Sequence, residues 1–147
     1  MDADSLRALA PETIVGMARK DLNIERVNAP IKMVMMTARY ESERDEDYKQ
    51  ITLQVANSPA LSLMFGFASL GISEYDRNSD NGYEKLTRNG DTMIIEEWQN
   101  TGSGSYAHVL DQTFMIQAEG SSVTMDELKA AANAINVRDL KNLPKEE

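Results

Sequence analysis

The chain of 147 residues sets 24 acidic against 15 basic side chains, a formal charge of −9, with 41% hydrophobic residues and no cysteine. That balance argues against nucleic acid and anionic membrane surfaces, which need clustered Lys and Arg, and the missing thiols exclude disulfides, thiol catalysis, Fe–S clusters and cysteine-based zinc sites. Length and apolar fraction fit one domain, 1–147, and no apolar run reaches the roughly 18 residues of a transmembrane helix.

Along the chain, Ser5–Leu9 reads as a short helical turn stopped by Pro11, with Ile14, Val15 and Met17 packing on the body. Pro30 opens a strand, Ile31 to Tyr40, whose Met33, Val34, Met35 and Met36 put apolar groups on both faces, as in a covered central strand. Glu41 to Asp47 holds five carboxylates against Arg44 and reads as a solvated loop, with an acidic docking patch as the alternative. Tyr48 to Ala56 then alternates, with Ile51, Leu53 and Val55 on one side, and predicts a half-buried strand antiparallel to the previous one.

Ser58-Pro59 is a helix start, because Ser accepts a backbone N–H at the N-cap and Pro fits the first helical position. The predicted helix, Ala60 to Leu70, ends at Gly71. Leu61, Met64, Phe65 and Ala68 make one apolar stripe; Leu63, Phe67 and Leu70 make a second, which is either buried or a partner or ligand surface.

The remainder predicts a β-meander. Tyr83 to Thr87 and Asp91 to Gln99 flank Asn89-Gly90, a strong hairpin signal. Ser105 to Leu110 and Thr113 to Glu119 flank Asp111-Gln112, and Gly102-Ser103-Gly104 joins the two hairpins. Thr124 and Glu127 form a capping box for a last helix with Met125, Leu128, Ala131, Ala132 and Ile135 on its apolar face and Leu140 and Leu143 extending the packing. The fold class expected is α+β: an antiparallel sheet of about six strands, rich in meander, with the apolar mid-chain helix and the C-terminal helix packed on it. The first residues and the tail Pro144–Glu147 are expected to be loosely ordered.

Chemistry is sparse. His108, the single histidine, lies in a strand with Tyr106 and Leu110 on its own face and reads as structural. Glu96 and Glu97 are adjacent in a strand, so they point to opposite faces and cannot act together; one is expected to pair with Lys or Arg. Asp76, Asn78 and Asp80 have the alternate spacing of a calcium loop, but Asn81 and Thr87 stand where that loop needs Gly and Glu. A polar turn with Asn81-Gly82 at positive φ is the reading preferred. No catalytic, cofactor-binding or metal-binding residue is assigned. Trp98 and Tyr106 join Leu63, Phe67 and Leu70 as the candidate partner or ligand surface.

The landmarks Gly82-Tyr83-Glu84-Lys85, Glu96-Glu97, Phe114-Met115-Ile116-Gln117-Ala118-Glu119-Gly120 and Leu128 to Ile135 form a recognisable series. It resembles uncharacterised bacterial exported proteins, often lipoproteins, in which a GYEK strand leads to a VEG strand and an LKAAA helix, and the plan is similar to the PsbP-like fold. The resemblance spans Tyr75 to Leu143 and carries no catalytic motif. It implies a non-enzymatic binding or accessory domain of the bacterial envelope with an unknown protein partner. The alternative is a carrier of a small apolar ligand, held between the Ala60–Leu70 helix and the sheet, with Met33, Met35 and Met36 as adaptable contacts. An enzyme built on carboxylates ranks last. With no lipobox cysteine and no signal segment in the sequence, an envelope location requires a removed leader; otherwise the chain is expected in the cytoplasm.

Overall fold

The computed structural model describes residues 3–27, 33–42, 49–58, 75–89, 92–111 and 113–142. Its elements are α1 (Ala3–Ala8), β1 (Thr13–Ile14), β2 (Met17–Val27), β3 (Met33–Glu41), β4 (Gln50–Asn57), β5 (Tyr75–Ser79), β6 (Gly82–Asn89), β7 (Thr92–Gln99), β8 (Ser103–Leu110), β9 (Phe114–Ser121), α2 (Met125–Asn133) and α3 (Val137–Lys141). Among the described residues the nine strands make one antiparallel sheet in the order β1-β2-β3-β4-β9-β8-β7-β6-β5. Two meanders therefore meet where β9 lies against β4, with Gln50 opposite Ser121 and Asn57 opposite Phe114.

The side-chain period of two separates the faces. Met36, Ala38 and Tyr40 of β3, Ile51, Leu53 and Val55 of β4, and Ile116 and Ala118 of β9 share one buried core with Leu6 of α1, Leu128 and Ala131 of α2 and Leu140 of α3. Each fully buried aliphatic side chain contributes about 1.5–3 kcal/mol, so this column is what holds the helices to the sheet. Among the described residues the opposite face has a small cluster, Met93 and Val109 with Leu86, Ile95 and Met115 against them. Tyr40 ties the N-terminal segment down: its hydroxyl donates to the Pro11 carbonyl at 2.6 Å, while Arg19 Nη1 donates to the Ala10 carbonyl at 3.1 Å.

The capping box forms as the sequence predicts. The Glu127 N–H donates to Thr124 Oγ1 at 3.1 Å and the Thr124 N–H to Glu127 Oε1 at 3.0 Å. Both expected hairpins form, but their registers differ from those of two-residue turns at Asn89-Gly90 and Asp111-Gln112: Asn89 itself pairs with Thr92, and Leu110 pairs with Phe114 across one residue more.

The expectation of six strands is corrected to nine. Of the three additional strands, β1, β2 and β5, the two longer ones, β2 and β5, have little apolar alternation. They sit at or beside the sheet's edges, where charged side chains guard against unwanted strand pairing. Asp76-Arg77-Asn78-Ser79 accordingly forms an exposed edge strand where the sequence suggested a turn; the turn itself is confined to Asp80-Asn81, and of that pair with Gly82 only Gly82 has positive φ, +157°. Val15 does not pack on the body: it is 40% exposed, with φ of 52°, in the turn between β1 and β2. The link between hairpins is Asn100–Gly102, and Ser103 and Gly104 already belong to β8. The predicted helix Ala60–Leu70, with Leu63, Phe67 and Leu70, lies outside the described residues, as do Ile31, residues 43–48 of the acidic run and Leu143.

Candidate functional site

Two hollows lie near the same end of the sheet. The larger is a cleft of about 710 Å³ where the Asp80-Asn81 turn meets the Asn100–Gly102 turn. Its aromatic floor follows from the hairpin register. Tyr83 of β6 stands directly opposite Trp98 of β7, which places their Cβ atoms about 4.5–5.5 Å apart on one face. Trp98 in turn faces Gly104 of β8, and a Cβ on that glycine would run into the indole ring. Glycine at 104 thus lets the ring lie over β8, and Trp98 remains half-buried beside the cleft.

The walls are mostly amides and hydroxyls: Asn78, Ser79, Asn81, Gln99, Asn100 and Thr101. The two turns are stitched together. The Asn100 N–H donates to the Asn81 carbonyl at 2.7 Å and Asn100 Nδ2 to the Asp80 carbonyl at 2.8 Å. Gly82 makes the close approach possible, since a Cβ there would overlap the Trp98 carbonyl. Arg77 and Glu84, paired in register on the face opposite Tyr83 and Trp98, lie 4.0 Å apart and offset one another at the cleft's edge.

Behind Tyr83 the sheet carries a buried charge. Glu96, 7% exposed, lies under α2, where Lys129 Nζ reaches its Oε1 at 2.8 Å. This hydrogen bond raises the Lys129 pKa above its ordinary value, outweighing desolvation. Burial first, and Glu96 second, raise the pKa of the Tyr83 and Tyr106 hydroxyls. Glu97 points to the other face and is exposed, so the adjacent glutamates are separated by the sheet. Tyr106, opposite Glu96 and Ala118, is buried and does not line the cleft, whereas Trp98 does. Tyr83 is a cleft residue that the sequence reading did not single out.

The smaller hollow, about 390 Å³, is on the face away from α2. Thr52, Glu119, Ser105 and Glu97 cross it in one row, and it has no aromatic lining. His108 belongs to neither hollow: it faces Ile94 and Ile116 across the strands, and burial, then Lys141, lowers its pKa. Asp76 and Asn78 lie along extended β5, with Asn78 Nδ2 donating to Asp76 Oδ1 at 3.4 Å, and among the described residues no group of three or more His, Asp or Glu side chains could hold a metal ion. No helix among them is long and apolar enough to cross a membrane.

Neither a family model nor a curated protein matches the sequence. Among solved structures, a GTP-binding regulator from Thermotoga maritima is similar over 92% of this chain and 87% of its own, at 12% identity and a TM-score of 0.40.

Proposed function

We propose that this chain is a non-catalytic binding domain whose ligand surface is the Tyr83–Trp98 cleft. The observation that carries the reading is the directly opposed aromatic pair on the floor of the 710 Å³ cleft, ringed by amides and hydroxyls. The volume of this cleft lies within the range of small-molecule sites. The engagement of Glu96 by Lys129 and the placement of His108 between Ile94 and Ile116 favour structural roles for the groups best suited to acid–base chemistry. The likeness of the Tyr75–Leu143 landmarks to exported bacterial domains supports an accessory role in the cell envelope.

The test is a thermal-shift ligand screen on the full chain and two variants, Trp98→Ala in the cleft and Ser105→Ala in the smaller hollow. A ligand at one hundred times its Kd adds about 2.7 kcal/mol. Ligands that stabilise the parent should also stabilise Ser105→Ala but not Trp98→Ala. The reverse pattern would place the site on the other face and overturn the reading.

A further inference from the structure

The geometry points to a neutral saccharide as the ligand of this cleft; the inference rests on the cleft being the binding surface. The floor supplies the first requirement. A pyranose ring has one face of C–H groups, which is apolar and suited to lie on an aromatic ring. Tyr83 and Trp98, in direct cross-strand register, give a continuous platform of that kind. Gly104 keeps the indole low over β8.

The walls supply the second. Every hydroxyl of a sugar donates and accepts, and so does every primary amide. Asn78, paired with Tyr83 on the same face, and Asn81 present both functions beside the platform, and Thr101 adds a hydroxyl. Fixed turns hold this rim before any ligand arrives, through the bonds of Asn100 to Asn81 and Asp80, and a preformed rim lowers the entropic cost of binding.

Charge supplies the third. Arg77 and Glu84 pair with each other on the face opposite Tyr83 and Trp98, and the chain as a whole is at −9. Anionic ligands are disfavoured by the whole-chain field, and the wall offers no excess of carboxylate for a cation. A neutral ligand with one apolar face and many hydroxyls is what remains.

Trp98 is the single tryptophan, so its emission reports on the cleft alone. The full chain is titrated with cellotetraose, maltotetraose and chitotetraose, and with a neutral tetrapeptide as the competing chemistry. At least one saccharide should shift Trp98 emission saturably at millimolar concentration or below, and the tetrapeptide should not. By calorimetry, Trp98→Ala should weaken that saccharide about tenfold. Asn78→Ala, which changes only the exposed rim and leaves the platform in place, should weaken it several-fold with no change in melting temperature. Silence from all three saccharides overturns the inference; if screen ligands still depend on Trp98, the cleft survives as a site for another chemistry. A response to the tetrapeptide alone, or saccharide binding indifferent to both variants, overturns it as well.

Discussion

Lys129 Nζ lies 2.8 Å from Glu96 Oε1, so a lysine of α2 neutralises a carboxylate on β7 that is almost closed to water. Two similar pairs flank it: Lys49 with Glu127 at 3.2 Å and Lys141 with Asp111 at 3.1 Å. The exposed pairs contribute little. Glu96 differs because its side chain is only 9% exposed, and removing its partner leaves a buried charge unmatched.

Lys129→Met should therefore destabilise the fold by about 1–3 kcal/mol, and the double change Glu96→Gln with Lys129→Met should recover part of that loss. Urea unfolding checks both. The Lys129 pKa is raised above 10.5 by its bond to Glu96, and burial raises Tyr40, Tyr83 and Tyr106 above 10.0. Each group holds its proton more tightly folded than unfolded, so these contributions are complete below about pH 10 and are lost as pH rises through the raised values. Stability measured across the alkaline range should fall, and less steeply in Lys129→Met.

His108 acts in the opposite sense. Burial, with Lys141 second, lowers its pKa below 6.5. The unfolded chain then binds the proton more readily, so the His108 contribution is present above pH 6.5 and lost as pH falls toward the depressed value. His108→Gln should fold, retain ligand binding, and show a flatter stability profile between neutral and mildly acidic pH.

Gly82→Ala should damage the cleft from its backbone. The new Cβ would overlap the Trp98 carbonyl, forcing β6 away from β7 at the tip. A cost of about 1–3 kcal/mol is expected from such overpacking, with Trp98 emission moving toward that of a solvated indole. An unchanged emission maximum would contradict the described approach.

Calcium should leave the melting curve unmoved. Asp76 and Asn78 lie along an extended strand, where alternate side chains run parallel instead of converging on one ion. Millimolar calcium against EDTA in differential scanning calorimetry checks this, and a clear rise in melting temperature would contradict it.

Much of the second meander was legible in the sequence because its turns carry strong local chemistry. Asn89-Gly90 marks the β6–β7 hairpin, but a two-residue turn there would set Arg88 opposite Asp91 and Tyr83 opposite Glu96; instead Asn89 itself pairs with Thr92, which brings Tyr83 opposite Trp98. The pairing of Tyr83 with Trp98 was therefore not legible from the turn, and of the two only Trp98 stands out in the sequence as a surface aromatic. Thr124 and Glu127 likewise announced α2. The edge strands were obscure for a physical reason. In β2, Leu22 and Ile24 are set among Arg19, Lys20, Asp21, Glu25 and Arg26, and β5 is polar throughout its exposed run from Asp76 to Ser79. Strands that must resist pairing with other chains give up the alternation that reveals strands. The cleft walls were obscure for another reason: Asn81 and Asn100 meet only because two separate turns are hydrogen-bonded together.

The central claim, that ligands enter at the Tyr83–Trp98 cleft, is tested most directly by mapping amide chemical shifts of the ¹⁵N-labelled full chain during titration with ligands from the thermal-shift screen. Perturbations should gather on Asn81–Tyr83 and Trp98–Thr101 and on the Trp98 indole N–H. Perturbations gathered instead on Thr52, Ser105 and Glu119, with the Trp98 indole unmoved, would contradict the claim.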